Sequence, residues 1–122
     1  MAYVKSTDKK ATSIVIPASV TIDGITYKVT SVAANAFKNN KTVEKITIGK
    51  NVAKIGEKAF YGCEKLKSIV FKTTKLTSKN VGKDVFKKIA NNAIIEVPEK
   101  KLDTYKKLFA KKGLGDNAVV KK

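Results

Sequence analysis

Twenty-six lysines and one cysteine are the most reactive groups in this 122-residue sequence, which has no histidine, no arginine and no tryptophan. Nucleophilic chemistry at Cys63 would need a neighbouring base, and without histidine nothing obvious supplies one. Hydrolysis without histidine needs paired carboxylates, a Ser-Lys dyad or a metal cluster. The ten acids are scattered, and the pairs Glu57 with Glu64 and Glu96 with Glu99 read as loop and strand-end surface residues. One cysteine and no Asp-rich loop give no zinc or calcium spacing. Gly56, Gly62, Gly82, Gly113 and Gly115 match turns and no phosphate loop. The expectation is a protein that is not an enzyme, with no catalytic, cofactor-binding or metal-ligating residue.

The charge is the unusual property. The formal net charge is +16, carried by lysine alone. Specific nucleic-acid readers use arginine for bidentate contacts or aromatics for base stacking. A lysine coat without those groups predicts nonspecific, salt-sensitive attraction to acidic polymers and no specific nucleic-acid partner. The reading favoured for most of the lysines is a solubilising coat. A single cysteine excludes an internal disulfide. No apolar run reaches the length of a transmembrane segment. The opening Met1-Ala2-Tyr3 carries no leader pattern, which leaves two readings: a cytosolic protein, or a domain whose leader and upstream portion have been removed.

The elements that position these residues follow from an internal repeat. Shifted by 23 residues, Val29, Val32, Ala36-Phe37, Val43, Ile46 and Ile48 fall on Val52, Ile55, Ala59-Phe60, Leu66, Ile69 and Phe71. A period between about 20 and 29 ending in L-x-x-I-x-I is the signature of a leucine-rich-repeat solenoid. The expected fold is an α/β repeat: a right-handed solenoid with a short parallel β-sheet, an N-terminal β-hairpin and a C-terminal capping helix. Residues 1–12 read as an extended lead-in. Units follow at about 13–28, 29–51, 52–75 and 76–98, and the helix at about 99–112. Asp23-Gly24 between alternating apolar residues signals the hairpin turn. Around Thr77 to Asn80 the third repeat is stretched by three residues, and Asn92 replaces its leading leucine. Leu102, Tyr105 and Phe109 form one helix side, with Lys100, Lys107 and Lys111 opposite. Ala118 to Val120 reads as a short extended contact.

The x positions of each strand point away from the core. They are Glu44, Lys45 and Thr47, then Lys67, Ser68 and Val70, then Ala93, Ile94 and Glu96, with Val15 extending the row. Within that set, Lys45, Thr47, Lys67, Ser68, Val70, Ile94 and Glu96 are the candidate binding face. Eight lysines lie from Lys100 onward. Among them Lys100, Lys107 and Lys111 are the candidate basic surface. Cys63 shares its repeat position with Asn40, an inward-facing place, so a structural role is expected for it.

The phrase IGEKAFYGCEKLKSIVF resembles the BspA-like, bacterial surface-antigen type of leucine-rich repeat, whose unit reads roughly I-G-x-x-A-F-x-x-C-x-x-L-x-x-I-x-I-P. The likeness runs from Ser13 to Gly113 and suggests the C-terminal module of such proteins. Val32-Ala33 stands for Ile-Gly, Asn40 for Cys, and Gly49 and Lys72 for the closing proline. The resemblance implies a secreted or cell-surface protein with adhesive or binding roles, whose candidate partners are a host or bacterial surface protein or an acidic glycan. It also leaves a third reading, a module that only caps a longer surface protein.

Overall fold

The computed structural model describes the strand Ala2–Tyr3 and residues 10–122, so most of the expected lead-in lies outside the described residues. Short β-branched runs form the main sheet: β2 (Ser13–Ile16), β6 (Lys45–Ile48), β8 (Ser68–Phe71), β9 (Ile94–Glu96) and β10 (Val119–Lys121). All neighbours are parallel, in the order β10-β9-β8-β6-β2. The register puts Ile14, Ile46, Ile69, Ile95 and Val120 in one inward column. All five are buried because alternate residues of a strand face the core. The closing strand β10 is a full member of this sheet, a larger role than the short contact expected from Ala118 to Val120.

A second, narrower sheet crosses the back of each repeat. Strands β1 (Ala2–Tyr3), β5 (Ser31–Val32) and β7 (Lys54–Ile55) are parallel, and Val81 continues the ladder as a single bridge to Ile55. At two residues each, these strands have no signal in the sequence apart from the recurring Val32, Ile55 and Val81.

Between back and front strands the chain turns through the Ala-Phe segment. Phe37, Phe60 and Phe86 are buried in one row, with ring centroids 5.9 and 6.2 Å apart. Backbone bonds tie these turns together: the N–H of Phe37 donates to the carbonyl of Ala59, and that of Lys58 to Lys83. Two places per turn take a left-handed backbone. One is Asn35, Lys58 and Asp84; the other is Asn39, Gly62 and Lys88.

The hairpin is formed by β3 (Ser19–Ile22) and β4 (Ile25–Lys28), turning at Asp23 (φ 52°) and Gly24 (φ 79°). Its register puts Val20, Ile22, Ile25 and Tyr27 on one face; Val20 packs half-buried against the core, and Val29 after the hairpin is fully within it. Ile22, Ile25 and Tyr27 are exposed.

At the other end Glu99–Lys101 is a 3-10 turn, and the α-helix proper, α1, is Leu102–Ala110. This helix is shorter than the expected 99–112 span, and its buried face differs. Tyr105, Leu108 and Phe109 are buried while Leu102 is half-buried. At about 100° per residue Leu102 and Leu108 flank Tyr105 on opposite sides, and the helix is docked with the Leu108 side against the core. Phe109 lies 4.8 Å from Phe86 and 4.9 Å from Phe71, continuing the aromatic row. Gly113 leaves the helix at φ 95°.

Tyr105 joins the helix to the third repeat by polar contacts as well as packing. Its buried hydroxyl donates to the carbonyl of Thr73 at 3.0 Å and accepts the N–H of Leu76 at 3.2 Å. Tyr105→Phe keeps the ring but strands both backbone groups, so it should cost about 1–3 kcal/mol in urea unfolding. A variant as stable as the parent would show that water or another group satisfies them.

Candidate functional site

The front of the main sheet carries two outward rows. Ser13, Lys45, Ser68, Ile94 and Val119 form one; Val15, Thr47, Val70, Glu96 and Lys121 form the other. Candidate face residues Lys45, Ser68 and Ile94 therefore stand side by side, as do Thr47, Val70 and Glu96. Val15, Ile94 and Val119 are exposed large apolar groups. Lys67 sits at the border of this face in an exposed ion pair with Glu44 at 3.2 Å. Ala93 is the exception to the expected row, because it is fully buried. Its N–H donates to Ala90 and its carbonyl accepts from Val119, which turns the residue inward to the place the missing leucine leaves open.

The candidate basic residues stand on different parts of the C-terminal segment. Lys100 is exposed on the 3-10 turn, outside the α-helix. Lys107 and Lys111 line a cleft of about 310 Å³ between helix and third repeat, with Leu76, Ser78 and Asp103 also on its wall. Lys100 is not among the residues that line this cleft.

Cys63 is completely buried, and its thiol donates to the carbonyl of Phe37 at 3.0 Å. Asn40, one repeat earlier, accepts the N–H groups of Thr42 and Val43 through Oδ1 at 2.9 and 3.0 Å. Both side chains thus hold turn backbone. Ile89, at the same place in the third repeat, is an apolar replacement and is buried too. Burial pushes the Cys63 thiol up to about 12. Among the described residues no cluster of His, Cys, Asp or Glu could hold a metal ion, and no helix is long and apolar enough to cross a membrane.

One cluster escapes a reading based on strand positions. Tyr61, half-buried on the turn edge, is surrounded by Lys38, Lys58 and Lys88, whose Nζ atoms lie 5.9, 5.4 and 5.5 Å from its ring centroid. The repeat alignment puts Lys38 and Tyr61 at matching places, but nothing in the sequence says that three lysines from three turns share one ring.

Parallel strands recurring at a fixed repeat, with buried apolar columns and an outward-facing sheet, define a leucine-rich-repeat protein. More narrowly, residues 30–115 match the BspA type leucine rich repeat region, and the chain belongs to that family. A leucine-rich cell surface protein from Faecalibacterium prausnitzii has a similar fold, with a TM-score of 0.59 at 24% identity. The match covers 84% of this chain and 30% of that one, so the chain spans under a third of its length. No curated protein matches the chain.

A thiol raised to about 12 is almost wholly protonated at neutral pH, and only the thiolate reacts quickly. Cys63 should therefore label slowly in the native state and rapidly after unfolding. Because the folded value lies above the ordinary 9.0, the unfolded chain loses its proton first; stability from this group is complete below about 9 and declines as pH rises toward about 12. Fast native-state labelling at neutral pH would place the thiol outside the core.

Proposed function

We propose that the chain is a non-catalytic binding module of a secreted or cell-surface protein, and that it contacts a protein partner through the front of its main sheet. The observation that carries this reading is the pair of continuous outward rows, five strands wide, that mix exposed Val15, Ile94 and Val119 with Lys45, Ser68 and Glu96. A sheet face that mixes exposed apolar side chains with polar ones suits protein association. Family membership favours binding over catalysis, and the likeness to a leucine-rich cell surface protein supports the location.

In this reading the repeats wind as a right-handed solenoid, the hand that parallel crossovers strongly favour. The C-terminal helix acts as its cap. The turn that follows it supplies the carbonyl of Lys112 to the N–H of Phe86, where a further repeat would otherwise supply one. That contact favours the second reading as well, in which the chain closes the end of a longer surface protein whose ligand site lies elsewhere.

The two readings separate by experiment. Binding to a panel of purified extracellular-matrix proteins, measured across a salt series, should yield a partner whose affinity survives physiological salt. Val70→Glu, which plants an unpaired charge at the centre of the face, should weaken that partner by about tenfold or more. The triple change Lys100→Gln, Lys107→Gln and Lys111→Gln should leave it nearly unchanged. A partner lost only with these lysines would overturn the sheet-face assignment, and no partner at all would favour the capping role.

A further inference from the structure

The left-handed positions of the Ala-Phe turns are occupied unevenly. In one column stand Asn35, Lys58 and Asp84; in the other, Asn39, Gly62 and Lys88. Asn, Asp and Gly accept this backbone readily, and lysine does not. The two lysines, at φ 57° and 64°, are therefore the two strained choices among six. Residues kept in sparsely populated conformations point to function when packing gains nothing from them. Both lysines direct their ammoniums to the same ring, that of Tyr61, and Lys38 from the preceding turn brings a third.

Three like charges about one half-buried ring repel one another, and the cation–π attraction offsets this only partly. Among the described residues, none of the three is in an ion pair: the salt bridges join Lys41 to Glu64, Lys67 to Glu44 and Lys122 to Glu99. The Lys88 ammonium beside Tyr61, with the charges of Lys87 and Lys58, holds its phenol below the usual range. The phenolic O–H of Tyr61 is a further donor on this edge.

We infer that Lys38, Lys58, Lys88 and Tyr61 form a binding site for a sulfate ester of an acidic polysaccharide. A tetrahedral oxyanion has three terminal oxygens and accepts several separated donors at once, whereas a carboxylate is planar and suits the arginine fork this chain lacks. Ammoniums on flexible stems serve as point charges for such a group. A nucleic-acid strand would want successive aromatic platforms, and this cluster offers one ring. The choice of a polysaccharide rests on the proposed surface location; the oxyanion site itself does not. The site lies on the turn edge, away from the front of the sheet, so one module would meet a protein and a glycan on different surfaces.

Calorimetric titration with a heparin-derived oligosaccharide tests this site directly. The double change Lys58→Asn and Lys88→Asn installs the residue that Asn35 and Asn39 already place in those columns, so the melting temperature should hold or rise. It should weaken binding by about tenfold, the loss expected for one or two charge-assisted contacts. Tyr61→Phe should weaken it by about threefold through its lost O–H donor. Lys107→Gln with Lys111→Gln removes the same charge elsewhere and should cost less than about threefold. Desulfated oligosaccharide and a single-stranded oligonucleotide of equal charge should bind more weakly than heparin, and their residual binding should not depend on Lys58 and Lys88. Val70→Glu should leave heparin binding intact, which separates this site from the sheet face. Equal losses for the two lysine pairs would reduce the effect to net charge and overturn the site. So would an oligonucleotide bound as tightly through the same residues, or heparin binding that ignores the Asn changes.

Discussion

Successive repeats approach so closely at their turns that no side chain fits between them, and the rest of the molecule depends on that distance. A Cβ added to Gly56 would lie 2.3 Å from the backbone nitrogen of Ala34, and one added to Gly82 would lie 2.4 Å from that of Glu57. The same approach lets the N–H of Gly56 reach the carbonyl of Val32, and that of Gly82 the carbonyl of Ile55. With the turns in contact, the front strands pair in register and the phenylalanines meet in one row. The hydrophobic core is then continuous from Ile14 to Val120. Burial supplies the driving force, but backbone contact sets the spacing at which it can act.

This spacing distributes the surface chemistry. On the front, strands advance one position per repeat, so outward residues form rows whose composition varies from strand to strand. On the turn edge, each repeat must reverse direction tightly and uses left-handed residues to do so. Side chains there radiate from a strained backbone rather than lie on a flat sheet. Lys38, Tyr61 and Lys88 come from three different turns and meet only because the turns are stacked. A flat face with mixed polarity and a convergent basic edge are consequences of the same stacking.

Much of this was legible in the sequence because a repeat reports each position several times. The Ala-Phe pairs gave the buried aromatic row, the alternating Ile-x-Ile runs gave the front strands, and Asp23-Gly24 gave the hairpin turn. Where the repeat degrades, legibility fails. Asn92 in place of leucine hid the inward turn of Ala93, and which flank of Tyr105 meets the core, Leu102 or Leu108, depends on how the helix docks. The back strands are two residues long, too short for a period-2 pattern. The outward rows follow from alternation alone, whereas the lysine cluster around Tyr61 depends on turn geometry. A lysine in a left-handed conformation looks like any other lysine when only the sequence is read.

The most direct test of the close-contact account compares two glycines that differ in what lies beside them. Gly82→Ala forces a methyl group onto the backbone of the preceding repeat, while Gly115 has nothing within 4 Å. Urea unfolding followed by circular dichroism should show Gly82→Ala destabilised by about 1–3 kcal/mol in a single cooperative transition. Gly115→Ala should fall within about 0.5 kcal/mol of the parent. Equal stability of the two variants would contradict the claim that backbone contact between turns sets the fold.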